Sequence, residues 1–242
     1  MTVVLRNPHA VLAAFEARPA DVLEVRLPGG RAPGAWERVA ALASGRGVPV
    51  VEAERGDPRR RERAGGRAGA EATLRERAPV SDERLYAGAA EGGLWLALDS
   101  VQDPHNVGAI FRTAAFFGVR GIVMMSDRAA PLTAVVYDVA SGGVEAVPFA
   151  VATNLRRTLQ AAQSSGLWVL GASEHAERAV DEVPRDRPWL LVLGNEEEGL
   201  RRLTLETCDE VCRIVARGGS VTSLNVSVAA GILMAALSRP LA

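Results

Sequence analysis

Apolar residues fall into two patterned regions with an unpatterned stretch between them. In the first region, residues 9–17 (HAVLAAFEA) put Val11, Leu12 and Phe15 on one side of a helix, since residues three and four apart share a helical face. Residues 21–27 (DVLEVRL) alternate instead, the period of a half-buried strand. Pro28-Gly29-Gly30 breaks the chain, a second helix is predicted over 35–44 through Trp36, Val39, Ala40 and Leu42, and residues 49–53 form a second short strand. The outcome is a small αβαβ unit. From Arg55 to Arg77 the periodicity disappears into Arg, Glu and Gly, a composition that cannot bury enough apolar surface to pack by itself. This stretch reads as a linker with a short helix around 70–77. Order returns at Leu94: apolar runs at 94–99, 121–126, 145–151, 167–173, 189–194 and 211–216 are separated by helical patterns, notably at 107–117, 154–164 and 224–238. Apolar strands alternating with helices predict an α/β fold, a parallel sheet covered on both faces. The expected division is 1–55, a linker at 56–92, and a larger domain at 93–242.

Composition adds exclusions more than it adds function. No window of the 242 residues approaches the roughly 18 consecutive apolar residues of a membrane helix, and the first residues lack a secretory pattern. A cytoplasmic protein with no membrane partner is expected. Cys208 and Cys212 stand four apart, and His9, His105 and His175 are scattered, so no metal site is expected. All 28 basic residues are arginine. Residues 1–78 carry 14 of them against 10 acids, and residues 79–242 carry 14 against 19. An arginine-rich first part suits phosphate contacts, and Arg59-Arg60-Arg61 would be its densest point. A codon bias toward arginine produces the same pattern.

Three loops follow apolar runs at the end where open α/β sheets bind ligands. The first, Asp99 to Gly108, leads into a helix that Asn106 is placed to start and that carries Arg112. An amide and a cation here suit an anionic or hydroxyl-bearing substrate; the plain alternative is a helix cap and a surface arginine. The second, Gly194-Asn195-Glu196-Glu197-Glu198-Gly199, follows WLLVL. Its three carboxylates disfavour a phosphate, and it is no dinucleotide fingerprint, which counts against a nucleotide-dependent oxidoreductase. The third, Arg217 to Val228, opens the last helix, with Ser223 or Thr222 as its expected cap.

Together these segments resemble the SpoU (TrmH) methyltransferases of the SPOUT superfamily. Asn106, Gly108 and Arg112 match the family's Asn-x-Gly-x-x-x-Arg. Gly194, Glu196 and Gly199 match Gly-x-Glu-x-x-Gly, and residues 223–227 match Ser-Leu-Asn-Val-Ser. Asn7-Pro8-His9-Ala10-Val11 and the αβαβ unit look like the RNA-substrate-binding domain, ribosomal-protein-like, of the rRNA-modifying subgroup. The resemblance implies a C-terminal trefoil knot that forms a largely backbone-lined S-adenosylmethionine pocket, with Gly194, Ile214 and Leu224 touching the cofactor. It also implies a homodimer, and transfer of methyl to a ribose 2′-hydroxyl of structured RNA, rRNA ahead of tRNA. Asn106, Arg112, Glu196, Ser223 and Asn225 become the catalytic set. The sequence departs from the family at Val215-Ala216, where Pro-Met is usual.

Arg112 is the family's proposed general base. A guanidinium ordinarily donates hydrogen bonds rather than accepting protons, so the alternative role is to hold a phosphate bidentately and stabilise alkoxide charge. A catalytically silent RNA-binding protein is the other alternative, and it would not need Asn106, Arg112, Glu196 and Asn225 together.

Overall fold

A computed structural model of the chain describes residues 1–29, 32, 34–52, 69–127, 129–195, 198–218, 220 and 223–238. They divide into two compact units, the first formed by Met1–Ala78 with Leu132–Ala146, the second by Pro79–Pro131 with Val147–Ala242.

In the first unit a four-stranded sheet has the order β1 (Thr2–Leu5), β4 (Glu71–Arg75), β2 (Val22–Leu27), β3 (Val50–Glu52). Helices α1 (Pro8–Ala17) and α2 (Trp36–Gly45) lie where the periodicity puts them. Residues 71–75 are a strand and not a helix: β4 pairs antiparallel with both β1 and β2, burying Ala72 and Leu74. A five-residue segment is too short for helical and strand periods to separate, and its β-branched or aromatic content is one threonine. The arginine run 59–61 lies outside the described residues.

Two helices from far along the chain, α5 (Ala134–Ala140) and α6 (Gly143–Ala146), complete this unit. They fall within the stretch expected to form the larger domain. They bury Val136, Tyr137, Ala140 and Val144, and polar ties fix them in place. Asp138 accepts hydrogen bonds from the backbone N–H of Arg6 and Asn7, both at 2.9 Å, and its carbonyl accepts one from Asn7 Nδ2 at 2.7 Å. The nearly buried Glu145 carboxylate takes both arms of Arg18, Nε and Nη2, at 2.8 Å, the fork geometry that makes arginine–carboxylate pairs strong.

The second unit is a seven-stranded parallel sheet in the order β7 (Phe149–Ala152), β6 (Gly121–Met125), β5 (Leu94–Leu98), β10 (Trp189–Leu193), β8 (Trp168–Ala172), β11 (Glu210–Arg213), β9 (Arg178–Ala179). β5, β6 and β10 are buried at all five positions, as strands covered on both faces must be. The run at 145–151 divides in two: Glu145 and Ala146 end α6 and the strand begins at Phe149, because Pro148 interrupts. One face packs Trp95, Ala97, Val123, Ala150 and Val192 against α3 (Asp82–Tyr86) and α7 (Leu155–Ser164). Trp95 is fully buried and donates its indole N–H to the Leu85 carbonyl at 2.8 Å, the partner a buried indole requires. Residues of opposite parity serve the other face, where Phe149 meets Phe111 of α4 (Pro104–Phe116) edge-to-face at 6.2 Å. Helix α4 also packs on α9 (Val226–Leu237).

Strands β5, β6 and β7 run outward in one direction, while β10 sits on the other side of β5. The order therefore reverses between β5 and β10, and a cleft at the carboxyl ends of these two strands is where such sheets bind ligands.

Candidate functional site

The loops at that reversal are tied by backbone and by a buried acid. Asp99 follows β5, and its N–H bonds the Leu193 carbonyl at 2.7 Å, one step beyond the regular ladder. Its side chain is fully buried. Oδ2 accepts from Thr204 Oγ1 at 2.7 Å and Arg201 Nε at 3.2 Å. Oδ1 accepts from Ser100 Oγ at 3.2 Å and lies 2.6 Å from Arg201 Nη2. A buried carboxylate needs such company to remain charged. Ser100 takes a left-handed backbone, φ +64°, and its carbonyl accepts from Asn195 Nδ2 at 3.0 Å. Asn195 and Gly199 exchange N–H to carbonyl bonds at 3.0 Å, closing the second loop. Gly194 cannot carry a side chain: a Cβ there would lie 2.3 Å from the Gly199 carbonyl carbon. Gly199 in turn sits at φ +67°, where glycine has no penalty.

Helix α4 starts earlier than its sequence suggests. Pro104 is its first residue, and Asp103 caps it by accepting from the His105 N–H at 2.8 Å; proline fits the first turn because no N–H is needed there. Asn106 is thus inside the first turn, buried, with Oδ1 facing Asn225 Nδ2 at 3.0 Å. The cap of α9 is Asn225 and not Ser223, while Thr222 lies outside the described residues. Asn225 Oδ1 accepts from the Ser227 N–H at 2.9 Å, the Val228 N–H at 3.4 Å and Ser227 Oγ at 2.6 Å. One amide side chain therefore caps a helix with its oxygen and binds the first motif with its nitrogen.

Of the expected site residues, the structure joins Asn106 and Asn225 directly, and fixes Gly194 in the loop bonded to Ser100. Arg112 is exposed on α4, two turns beyond Asn106, with no hydrogen bond or ion pair among the described residues. Ser223 is exposed just before α9. Glu196 lies outside the described residues. Ile214 is half-buried directly after β11, while Leu224 and Val215 are 48% and 52% exposed. Asp99, Arg201, Thr204 and Asn195 are the additions that sequence reasoning did not single out. The available signal was an acid directly after a fully apolar strand, a position that burial makes costly.

Cys212 is fully buried and Cys208 is half-buried, donating to the Thr204 carbonyl at 3.2 Å. Burial pushes both thiols up to about 12, so they have no nucleophilic role at neutral pH. Among the described residues no cluster of three or more His, Cys, Asp or Glu could hold a metal ion, and no helix is long and apolar enough to cross a membrane.

The sequence profile of the SpoU rRNA Methylase family matches residues 93–235, more than half of the chain. The chain belongs to that family. The Asn106–Asn225 bond joins the first and third of the three segments that resemble this family, and Gly194 lies in the second. A Pseudomonas putida relative, 23S rRNA (guanosine-2′-O-)-methyltransferase RlmB, is 38% identical over 233 residues, 93% of this chain and 92% of the relative. The Nitrosomonas europaea protein of the same name is 48% identical over 161 residues, 66% of this chain and 61% of its own length. An AdoMet-bound rRNA methyltransferase from Sinorhizobium meliloti shares the fold, with a TM-score of 0.77 at 24% identity, covering 98% of this chain and 86% of that one.

The double duty of Asn225 yields a measurable consequence. Asn225→Ala removes the cap and the partner of Asn106, and should lower unfolding stability by about 1 kcal/mol or more, the usual cost of a lost helix cap. Chemical denaturation reads this; an unchanged midpoint and slope would show that neither bond contributes.

Proposed function

We propose that this family member transfers a methyl group from S-adenosylmethionine to the 2′-hydroxyl of a guanosine ribose in 23S rRNA. The observation that carries the reading is the Asn106–Asn225 bond at the carboxyl end of the sheet, which joins two signature motifs. The rRNA substrate is favoured over tRNA because a relative aligned over more than nine-tenths of both chains carries the 23S rRNA name. The reading includes a knotted cofactor pocket touched by Gly194, Ile214 and Leu224, and an enzyme acting in the cytoplasm. It also assigns RNA binding to the unit built on residues 1–55 and completed by Glu71–Arg75 and Leu132–Ala146, and catalysis to the rest of 93–242.

S-adenosylmethionine supplies an electrophilic methyl on a sulfonium centre. Methyl transfer to the 2′-oxygen would release S-adenosylhomocysteine as the leaving group and pass the hydroxyl proton to solvent water. Arg112 is assigned to the charge that develops: its guanidinium holds the adjacent phosphate and stabilises the emerging alkoxide. Asn106, Ser223 and Asn225 orient the ribose and its loop, with Glu196 directing Arg112.

The family's dimer has a surface available to it. Leu224 just ahead of α9, and Val228 and Ile232 on it, are spaced four apart and leave an exposed apolar stripe; Phe116 at the end of α4 is 83% exposed. Large exposed apolar patches mark interaction sites. Sedimentation equilibrium should give twice the chain mass for the wild type and the single chain mass for Val228→Asp/Ile232→Asp; a monomeric wild type removes the homodimer from this reading.

Single-turnover methylation of unmodified 23S rRNA tests the chemistry. Arg112→Ala should lose about a thousandfold in rate, corresponding to about 4 kcal/mol of transition-state stabilisation, with S-adenosylmethionine affinity retained. Arg112→Lys should also fail, because lysine lacks the planar fork. A near-normal rate in Arg112→Ala would leave Arg112 as a surface residue.

A further inference from the structure

The carboxyl edge of the sheet holds a cavity that no described residue of the three motifs lines. It has a volume of about 520 Å³, and its walls include Thr153 and Asn154 from the β7–α7 turn, Arg156 from the first turn of α7, and Arg201, Arg202 and Thr204 around the start of the short helix α8 (Arg202–Leu205). Among the described residues no carboxylate lines it.

The three arginines differ in how they are held. Arg201 is fixed by Asp99, yet its side chain remains 43% exposed. Arg202 is 84% exposed and pairs with Glu206 one turn on at 3.4 Å, a surface ion pair of little energetic weight. Arg156 is exposed and has no hydrogen bond or ion pair among the described residues. The Asn154 side chain is already committed to the Arg157 N–H at 3.1 Å. Three guanidinium groups thus share one concave surface; the buried Asp99 offsets Arg201, and Glu206 on the surface pairs with Arg202. An anion with several oxygens fits this arrangement, since a guanidinium fork matches phosphate geometry.

The cavity also adjoins the candidate site through two consecutive residues. Asp99 binds Arg201 and Thr204 on the cavity wall, and Ser100 accepts from Asn195 in the second motif. An RNA strand lying at that motif has phosphates on both sides of the reacting ribose. We propose that Arg156, Arg201 and Arg202 form a phosphodiester subsite for the RNA strand flanking the target nucleotide. This rests on the RNA methyltransferase reading above.

The test compares the full-length wild type with Arg156→Ala/Arg202→Ala and with Arg84→Ala/Arg185→Ala, a control that removes equal charge outside the cavity. Arg201 is left in place, because removing it would strand the Asp99 carboxylate. Filter binding to an unmodified 23S rRNA transcript across a salt series is the primary readout. The cavity variant should bind about tenfold more weakly, with a log–log salt slope shallower by roughly 0.7–0.9 for each phosphate that is no longer neutralised. Its KM for RNA should rise by the same factor, while kcat at saturating RNA and S-adenosylmethionine affinity stay at wild-type values. The control pair should bind as the wild type does. A cavity variant whose affinity and salt slope match the control overturns the subsite. Wild-type protein that binds 23S rRNA without transferring methyl defeats the methyltransferase reading and leaves the subsite test intact. Wild-type protein that binds no RNA overturns both.

Discussion

The buried carboxylate of Asp99 is the constraint around which the second unit's ligand-binding edge is built. A charge taken fully out of water is costly unless several donors replace the water. Here Thr204, Ser100 and Arg201 do so, and Thr204 and Arg201 come from a segment about a hundred residues further along the chain. The same residue's N–H extends the pairing of β5 with β10 beyond the strands. Satisfying Asp99 therefore fixes the start of the first motif against the segment following the second. Ser100, bent into a left-handed conformation beside it, presents its carbonyl to Asn195. Such a conformation costs a non-glycine residue energy and persists where its surroundings over-determine it.

From that anchor the motifs acquire their geometry. Gly194 permits a backbone crossing that no other residue allows, so the second loop folds back on itself through Asn195 and Gly199. The third motif approaches from α9, where Asn225 serves both as cap and as partner to Asn106. The packing of α4 on α9 keeps those two amides in register. Arg112 stays out of this network.

Much of this is legible in the residues. The fully buried strands show themselves as uninterrupted apolar runs, and the helices between them by their period, so the parallel sheet follows. What escapes has physical reasons. Residues 71–75 occupy a central position in the first sheet with an acid at one end and a base at the other, so burial is limited to Ala72 and Leu74 and gives too short a pattern. Asn106 resembles a cap because asparagine favours that position, but Asp103-Pro104 is the stronger start signal and claims the helix end. Asp99 lies in the first candidate loop, yet its partners Arg201 and Thr204 are about a hundred residues away, and only folding reveals the pairing. The recruitment of α5 and α6 into the first unit is likewise a long-range event, combining buried Val136, Tyr137, Ala140 and Val144 with the bonds of Asp138 and Glu145.

A double-mutant cycle on Asp99 and Arg201, read as unfolding free energies from denaturant titration, tests the anchoring role most directly. Asp99→Ala, Arg201→Ala and the double variant are compared with the wild type. If the pair organises the edge, the two residues should be coupled by about 1.5 kcal/mol or more, the scale of hydrogen bonds to a charged group, with Arg201→Ala costing more alone than in the absence of Asp99. Additive effects, with coupling within about 0.3 kcal/mol of zero, would contradict the account, because Asp99 would then be buried without depending on Arg201.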